Sequence, residues 1–348
     1  MVSASAWHLV RRPAGEPVAA DVALVEFDLA APGEGEVLVA NTFVSVDPYM
    51  RNRMNEGRSY VPPFELNAPM SGGAVGRVTE LAGTPVDAEG RAIGVGDLVV
   101  HDQGWRTHAV LPGPACRVVG ATSTDRAATP VPDQAWLGVL GMPGLTAYAG
   151  LLRIARFRPG DIVYVNAAGG AVGSVVGQIA RLKGAARVIG SAGGVDKTRW
   201  LTEVAGFDAA IDYKAMPLPM GMRRFAPEGI DVCFENVGGD QLQVALSNMR
   251  RDGRIAVCGM IAAYNATQPV PGPRNLALLI TQRLTMRGFI VYDHEDLRPA
   301  FEREVGGWLA AGELHWRETV REGIESAFDA FTAMMRGDTV GKTVVRVG

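Results

Sequence analysis

Residues 167–177, Ala167-Ala168-Gly169-Gly170-Ala171-Val172-Gly173-Ser174-Val175-Val176-Gly177, join the apolar run Ile162-Val163-Tyr164-Val165 to the amphipathic stretch Gln178–Lys183. A glycine-rich turn from a strand into a helix narrows the available folds sharply. Tight reversal needs residues without Cβ clash, and the exposed N–H groups of the helix start attract an anion. Gly170 and Gly173 have the spacing for a backbone that must approach a pyrophosphate, and Gly177 lies where a small residue lets helix pack on strand. The amides of 171–174 are expected to face phosphate. The spacing G-x-x-G-x-x-x-G departs from strict G-x-G-x-x-G, so context carries the reading. Walker-type and nucleophile-elbow patterns are both absent.

That context is a repeated strand–helix rhythm beginning near residue 140. Strands are predicted at 161–165, 186–190, 208–212, 230–234, 254–259 and 284–291, and helices at 171–183, 195–205, 239–250, 273–282 and 294–311. Six such strands with right-handed crossovers give an α/β, doubly wound parallel (Rossmann) sheet. Residues 1–135 have another rhythm: short strands such as 36–45, 73–80 and 96–101, punctuated by glycines, predict a mostly β domain. The tail carries strand-like 315–320, a helix at 323–336 and strand-like 342–347. The expected division is 1–135 with 315–348, and 136–314.

Where NAD-preferring sites end their second strand with an acid, this chain has Ser191-Ala192-Gly193-Gly194, followed by Asp196 and Lys197. The missing acid and the available cation favour NADP(H). The 34 basic and 37 acidic residues leave a net charge of −3, which supplies no nucleic-acid footprint and no polybasic membrane patch. Three scattered cysteines argue against a disulfide framework and for a reducing, cytoplasmic setting. No apolar run reaches membrane-spanning length.

The segments Val46-Asp47-Pro48-Tyr49-Met50-Arg51, Leu140–Tyr148, the glycine loop, Phe234-Glu235-Asn236-Val237-Gly238-Gly239, Ile255–Gly259, Gly272-Pro273-Arg274-Asn275, Gly288–Val291 and Gly341-Lys342 together resemble the medium-chain dehydrogenase/reductase superfamily. Within it, the match is to the zinc-free branch of prostaglandin, curcumin and 2-alkenal reductases, and it spans nearly the whole chain. The resemblance implies a GroES-like β domain plus a Rossmann domain, with the tail rejoining the first. It carries NADP contacts onto Ala171, Val172, Gly173 and Ser174 at the pyrophosphate, and onto Lys197 and Tyr213 at the 2′-phosphate. Asn236, Cys258 and Tyr264 follow along the cofactor, with Phe289, Ile290 and Val291 near the nicotinamide. Thr339 stands where the family often has Asn. A homodimer is also implied.

Zinc-dependent members of the superfamily supply Cys, His and acidic ligands. Here Ser45 stands where their cysteine falls, and Pro69-Met70-Ser71-Gly72-Gly73 where Gly-His-Glu is expected. No metal is therefore expected, which disfavours alcohol oxidation and favours reduction of the C=C bond of an enone or enal. Tyr264 is the candidate donor to the developing enolate, a role the cofactor's ribose hydroxyl could share; pocket lining is its simpler role. Tyr49 and Tyr60 are candidates for substrate contact, Tyr49 equally for a core anchor. Arg51 suits either an acidic substrate tail or a structural carboxylate. A quinone reductase and a non-catalytic NADPH-binding sensor are the competing readings.

Overall fold

The computed structural model describes residues 2–120 and 131–348. The chain divides into two compact units, residues 1–138 with 318–348, and residues 139–317.

In the first unit β1 (Val2–Leu9) pairs antiparallel with β2 (Val22–Leu29). The long β3 (Glu36–Val46) leads through Asp47-Pro48 into the short α1 (Tyr49–Arg53). Proline at the cap position, with φ already near −60°, presets that helical turn. Then come β4 (Ala74–Leu81), β5 (Leu98–His101), β6 (His108–Pro112) and β7 (Arg117–Val118). Gly76 on β4 is obligatory: a Cβ there would sit 2.4 Å from the Ala40 carbonyl of β3. The core of this region gathers Met50, Met54, Met70, Trp105, Phe328 and Phe331.

The second unit opens with α2 (Met142–Ala149) and continues as β8 (Ile162–Val165), α3 (Gly173–Leu182), β9 (Arg187–Ala192), α4 (Val195–Glu203), β10 (Ala209–Asp212), α5 (Leu218–Phe225), β11 (Ile230–Glu235), α6 (Gly239–Asn248), β12 (Met249–Val257), α7 (Leu278–Thr281), β13 (Thr285–Gly288) and α8 (Arg298–Ala310). The six strands are parallel in the order β10-β9-β8-β11-β12-β13. This is the expected doubly wound Rossmann sheet, with the chain reversing its direction of travel beside β8. All four residues of β8 are buried, as a central parallel strand covered on both faces requires.

Three expectations change in detail. The helix expected over 273–282 shrinks to Leu278–Thr281, because Pro271, Gly272 and Pro273 hold the preceding backbone out of the α region. The strand expected over 284–291 stops at Gly288, and a 3-10 turn starts at Val291. Helix α5 is additional: Pro217 and Pro219 read as breakers, but prolines are accommodated in a first turn, and Leu218 and Met222 anchor its buried face.

The tail supplies β14 (Glu318–Glu322), α9 (Ala327–Met335) and β15 (Lys342–Arg346). Strand β15 inserts between β14 and β3, completing a seven-stranded sheet in the first unit with β6 also on β3. Among the described residues no helix is long and apolar enough to cross a membrane.

Candidate active site

The glycine loop leaves β8 through Asn166 and Ala167, the latter at φ 46°. Gly170 N–H donates to the Ala167 carbonyl (3.0 Å), closing the turn. A Cβ on Gly173 would lie 2.6 Å from that carbonyl and 2.8 Å from Ala168 Cα, so only glycine fits there. At Gly170 a Cβ would lie 3.3 Å from the same Ala167 carbonyl, a tight contact with backbone. The α3 N-cap, Val172, provides no side-chain cap, so the helix start is left to other acceptors. Of the amides 171–174 expected to face phosphate, that of Ser174 has an acceptor inside the loop, the Gly170 carbonyl (3.2 Å).

The end of β9 passes through Gly193 and Gly194, the second at φ 105°. Asp212, where β10 ends, receives the amides of Gly194 (2.9 Å) and Lys214 (3.0 Å), so its carboxylate is committed to the backbone. A Cβ on Gly169 would meet the Lys197 stem (Cδ 3.1 Å), and one on Gly193 would meet Tyr213 Oη (2.7 Å) and Lys214 Cε (3.0 Å). A phenol and one ammonium-bearing stem, Tyr213 and Lys214, thus border the end of β9, which lacks an acid of its own, while the Lys197 stem borders the glycine loop after β8. That cradle fits a phosphorylated ribose. Lys214 was not singled out in the sequence, although it adjoins Tyr213.

The end of β11 holds Asn236. Its amide donates to Asn166 Oδ1 (2.6 Å) and its Nδ2 donates to the Asn166 carbonyl (2.9 Å), tying the ends of β8 and β11 together. After β12 the chain runs through Cys258 to a 3-10 turn, Ile261–Ala263, with Tyr264 at its end. The Tyr264 hydroxyl stands over this loop, accepting from the Met260 amide at 3.5 Å. Burial, with the Glu235 carboxyl nearby, pushes the Cys258 thiol up to about 12, so it is a neutral lining group. The Phe289 ring packs edge-on against Phe234 and closes over Gly150. Ile290 is half-buried and Val291 buried.

The remaining candidates lie in the first unit. Tyr49 stands beside Gly72, its hydroxyl 3.6 Å from where a Cβ would be. Tyr60 is 53% exposed, while Thr339 is buried. Arg51 is packed into the interior of this unit. It is only 2% exposed, and its guanidinium donates to Asn55 Oδ1 (2.7 Å) and the carbonyls of Gly15 (2.7 Å) and Pro13 (3.5 Å). It clamps the 13–15 loop to α1, and the charge of the Asp21 carboxylate also acts on it. Ser45 Oγ bonds to Asp47, whose other oxygen pairs with Lys342 Nζ at 2.6 Å in a buried ion pair. Among the described residues no group of three or more His, Cys, Asp or Glu could hold a metal ion.

Residues 5–119 match a family described as the N-terminal domain of oxidoreductase, and residues 171–304 one described as zinc-binding dehydrogenase. The chain is 40% identical to NADPH-dependent curcumin reductase of Escherichia coli over 98% of its own length and 96% of that protein's. It is 38% identical to prostaglandin reductase 1 of Bos taurus, covering 99% of this chain and all (100%) of that one. With the NADP(+)-dependent 2-alkenal reductase of Nicotiana tabacum the identity is 40%, over 96% and 94%. The crystal structure of CurA in complex with NADPH from Vibrio vulnificus superposes with a TM-score of 0.89 at 37% identity, covering 99% of each chain. The chain therefore belongs to the medium-chain dehydrogenase/reductase superfamily, in the branch of the curcumin, prostaglandin and 2-alkenal reductases.

Proposed function

We propose that the protein catalyses NADPH-dependent reduction of the C=C bond of α,β-unsaturated aldehydes and ketones. The observation that carries this reading is near-complete alignment with relatives named for that chemistry, on a chain whose β9 end lacks an acid of its own. Bound NADPH supplies a hydride for the β-carbon of the enone or enal.

The residues of this chain divide the remaining work. Ala171, Val172 and Gly173 hold the pyrophosphate at the start of α3, with Gly170 and Ser174 shaping the turn. Lys197, Tyr213 and Lys214 hold the 2′-phosphate. Asn236, Cys258 and Phe289–Val291 line the path to the nicotinamide. Tyr264 donates a hydrogen bond to the carbonyl oxygen as negative charge develops there, the interaction that most lowers such a barrier. Tyr49 and Tyr60 are the first unit's candidates for substrate contact, and Thr339 its candidate for cofactor contact.

We also assign a homodimer formed along β13. All four residues of this edge strand are exposed, and Leu276, Ile280 (80% exposed) and Met286 make the adjoining surface apolar, a combination that unpartnered edges avoid. Three unpaired cysteines support a cytoplasmic location.

The test is NADPH oxidation at about 340 nm (a property of the cofactor) with 2-nonenal, curcumin, a 15-oxo-prostaglandin and a quinone. The saturated carbonyl is the expected product. Lys197→Ala should narrow the preference for NADPH over NADH about tenfold or more, the loss of a charge-assisted contact. Oxidation with the quinone alone, or an unchanged cofactor preference, would overturn the respective assignment.

A further inference from the structure

Glu235 is the last residue of β11 and is fully buried. A carboxylate in such a place is costly unless hydrogen bonds hold it. Its bonds are concentrated on one oxygen. Oε1 accepts from Asn166 Nδ2 (2.6 Å) and from the amides of Val237 (2.7 Å) and Gly238 (2.7 Å), whereas the equally buried Oε2 has no hydrogen-bond partner among the described residues. Burial raises the carboxyl's pKa, and these three donors oppose that rise. Acidic character kept at such a cost serves the backbone it gathers: residues 236–238 are folded around one oxygen, with Gly238 at φ 77°.

That turn in turn holds the loop that carries Tyr264. The Glu235 carbonyl accepts from the amides of Cys258 (2.8 Å) and Gly259 (3.1 Å), the Asn236 carbonyl from Ile261 (3.2 Å), and the Val237 carbonyl from Ala262 (3.0 Å). A Cβ on Gly238 would meet Met260 Cβ at 3.1 Å, and Met260 N–H reaches the Tyr264 hydroxyl. A contiguous path therefore runs from the carboxyl through residues 236–238 to the 258–264 loop.

We propose that Glu235 is the positioning residue for the reaction: it folds the 236–238 turn, and through it sets where Asn236 lies and where the Tyr264 hydroxyl points. The inference rests on the role given to Tyr264 above. Glu235 itself is fully buried and acts through that turn.

Glu235→Gln keeps an acceptor oxygen but lacks the full charge that holds three donors. The experiment compares wild type, Glu235→Gln, Tyr264→Phe and the double variant by kcat at saturating NADPH with 2-nonenal. Hydrogen–deuterium exchange of peptides spanning 235–240 and 256–266 is measured alongside. Glu235→Gln should lower kcat about tenfold with a smaller change in KM for the alkenal, and the loss should shrink to under about twofold when Tyr264 is already Phe. Exchange should rise in both peptides. Wild-type kcat in Glu235→Gln, equal losses in both backgrounds, or faster exchange confined to 235–240 would each overturn the inference. Should Tyr264→Phe prove neutral while exchange still rises in both peptides, the role of the tyrosine is the part that fails, and the inference falls with it. Glu235→Asp, one methylene short, keeps the charge but cannot reach all three donors, so partial recovery of kcat relative to Glu235→Ala is expected.

Discussion

At the scale of single residues, the buried polar groups are specified by their partners. His101 illustrates this. Gln103 N–H donates to its Nδ1 (3.1 Å), so Nε2 carries the proton and donates to Asn41 Oδ1 (2.9 Å). Burial, with Arg106 adding to it, pushes the imidazole down to about 3. The unfolded chain takes up a proton below about pH 6.5 and the folded chain resists until about 3. Stability from this residue is therefore complete above pH 6.5 and declines by about 1.4 kcal/mol per pH unit between those limits. Urea unfolding at pH 7 and pH 5 should show wild type losing more stability on acidification than His101→Gln. Equal losses would mean that the imidazole protonates in the fold. Arg51 makes the same point from its position: its charge suggested a ligand, and its neighbours turn it into a clamp for carbonyls.

At the scale of elements, glycine placement governs how α3 meets the sheet. The hypothetical Cβ of Gly177 falls within contact of three atoms of the Phe207 ring, and that of Gly190 on β9 lies 3.0 Å from the same ring. Phe207 is buried and fills the space that the two glycines leave. Alanine at 177 would gain about 1 kcal/mol of helix propensity but would meet an overpacking cost of about 1–3 kcal/mol. The clash should win, lowering the melting temperature by a few degrees. A thermal melt of Gly177→Ala that matches or exceeds wild type would show that Phe207 moves aside. Helix α5 was illegible because propensity argues against it, and it exists because Leu218 and Met222 find a core.

At the scale of the whole molecule, the first unit is discontinuous in sequence. Strand β15 lies between β14 and β3, and the buried Lys342–Asp47 ion pair joins residues 295 apart. No local pattern in either segment announces that pairing. The proposed homodimer uses the edge strand β13 of the other sheet. Ile280→Asp with Met286→Lys should convert the proposed homodimer to monomer in sedimentation velocity, because charges on an edge strand oppose pairing. A wild type that sediments as a monomer at micromolar concentration would refute the dimer itself.

Taken alone, the sequence determined the parallel sheet, the glycine turn of Gly170 and Gly173 between β8 and α3, the missing acid at the end of β9, and the reductase branch. These are consequences of local periodicity and of backbone conformations that few residues can adopt, and such signals survive in a linear string. Tertiary structure alone decided that Arg51 binds carbonyls, that the Ser174 amide is bonded inside its own loop, that Lys214 lies with Tyr213 beside Gly193, and that Glu235 gathers the 236–238 turn. Each depends on the folded positions of particular atoms, some from distant segments as for Arg51 with Gly15 and Glu235 with Asn166, and the energy of a buried polar group is set by those partners rather than by its own identity.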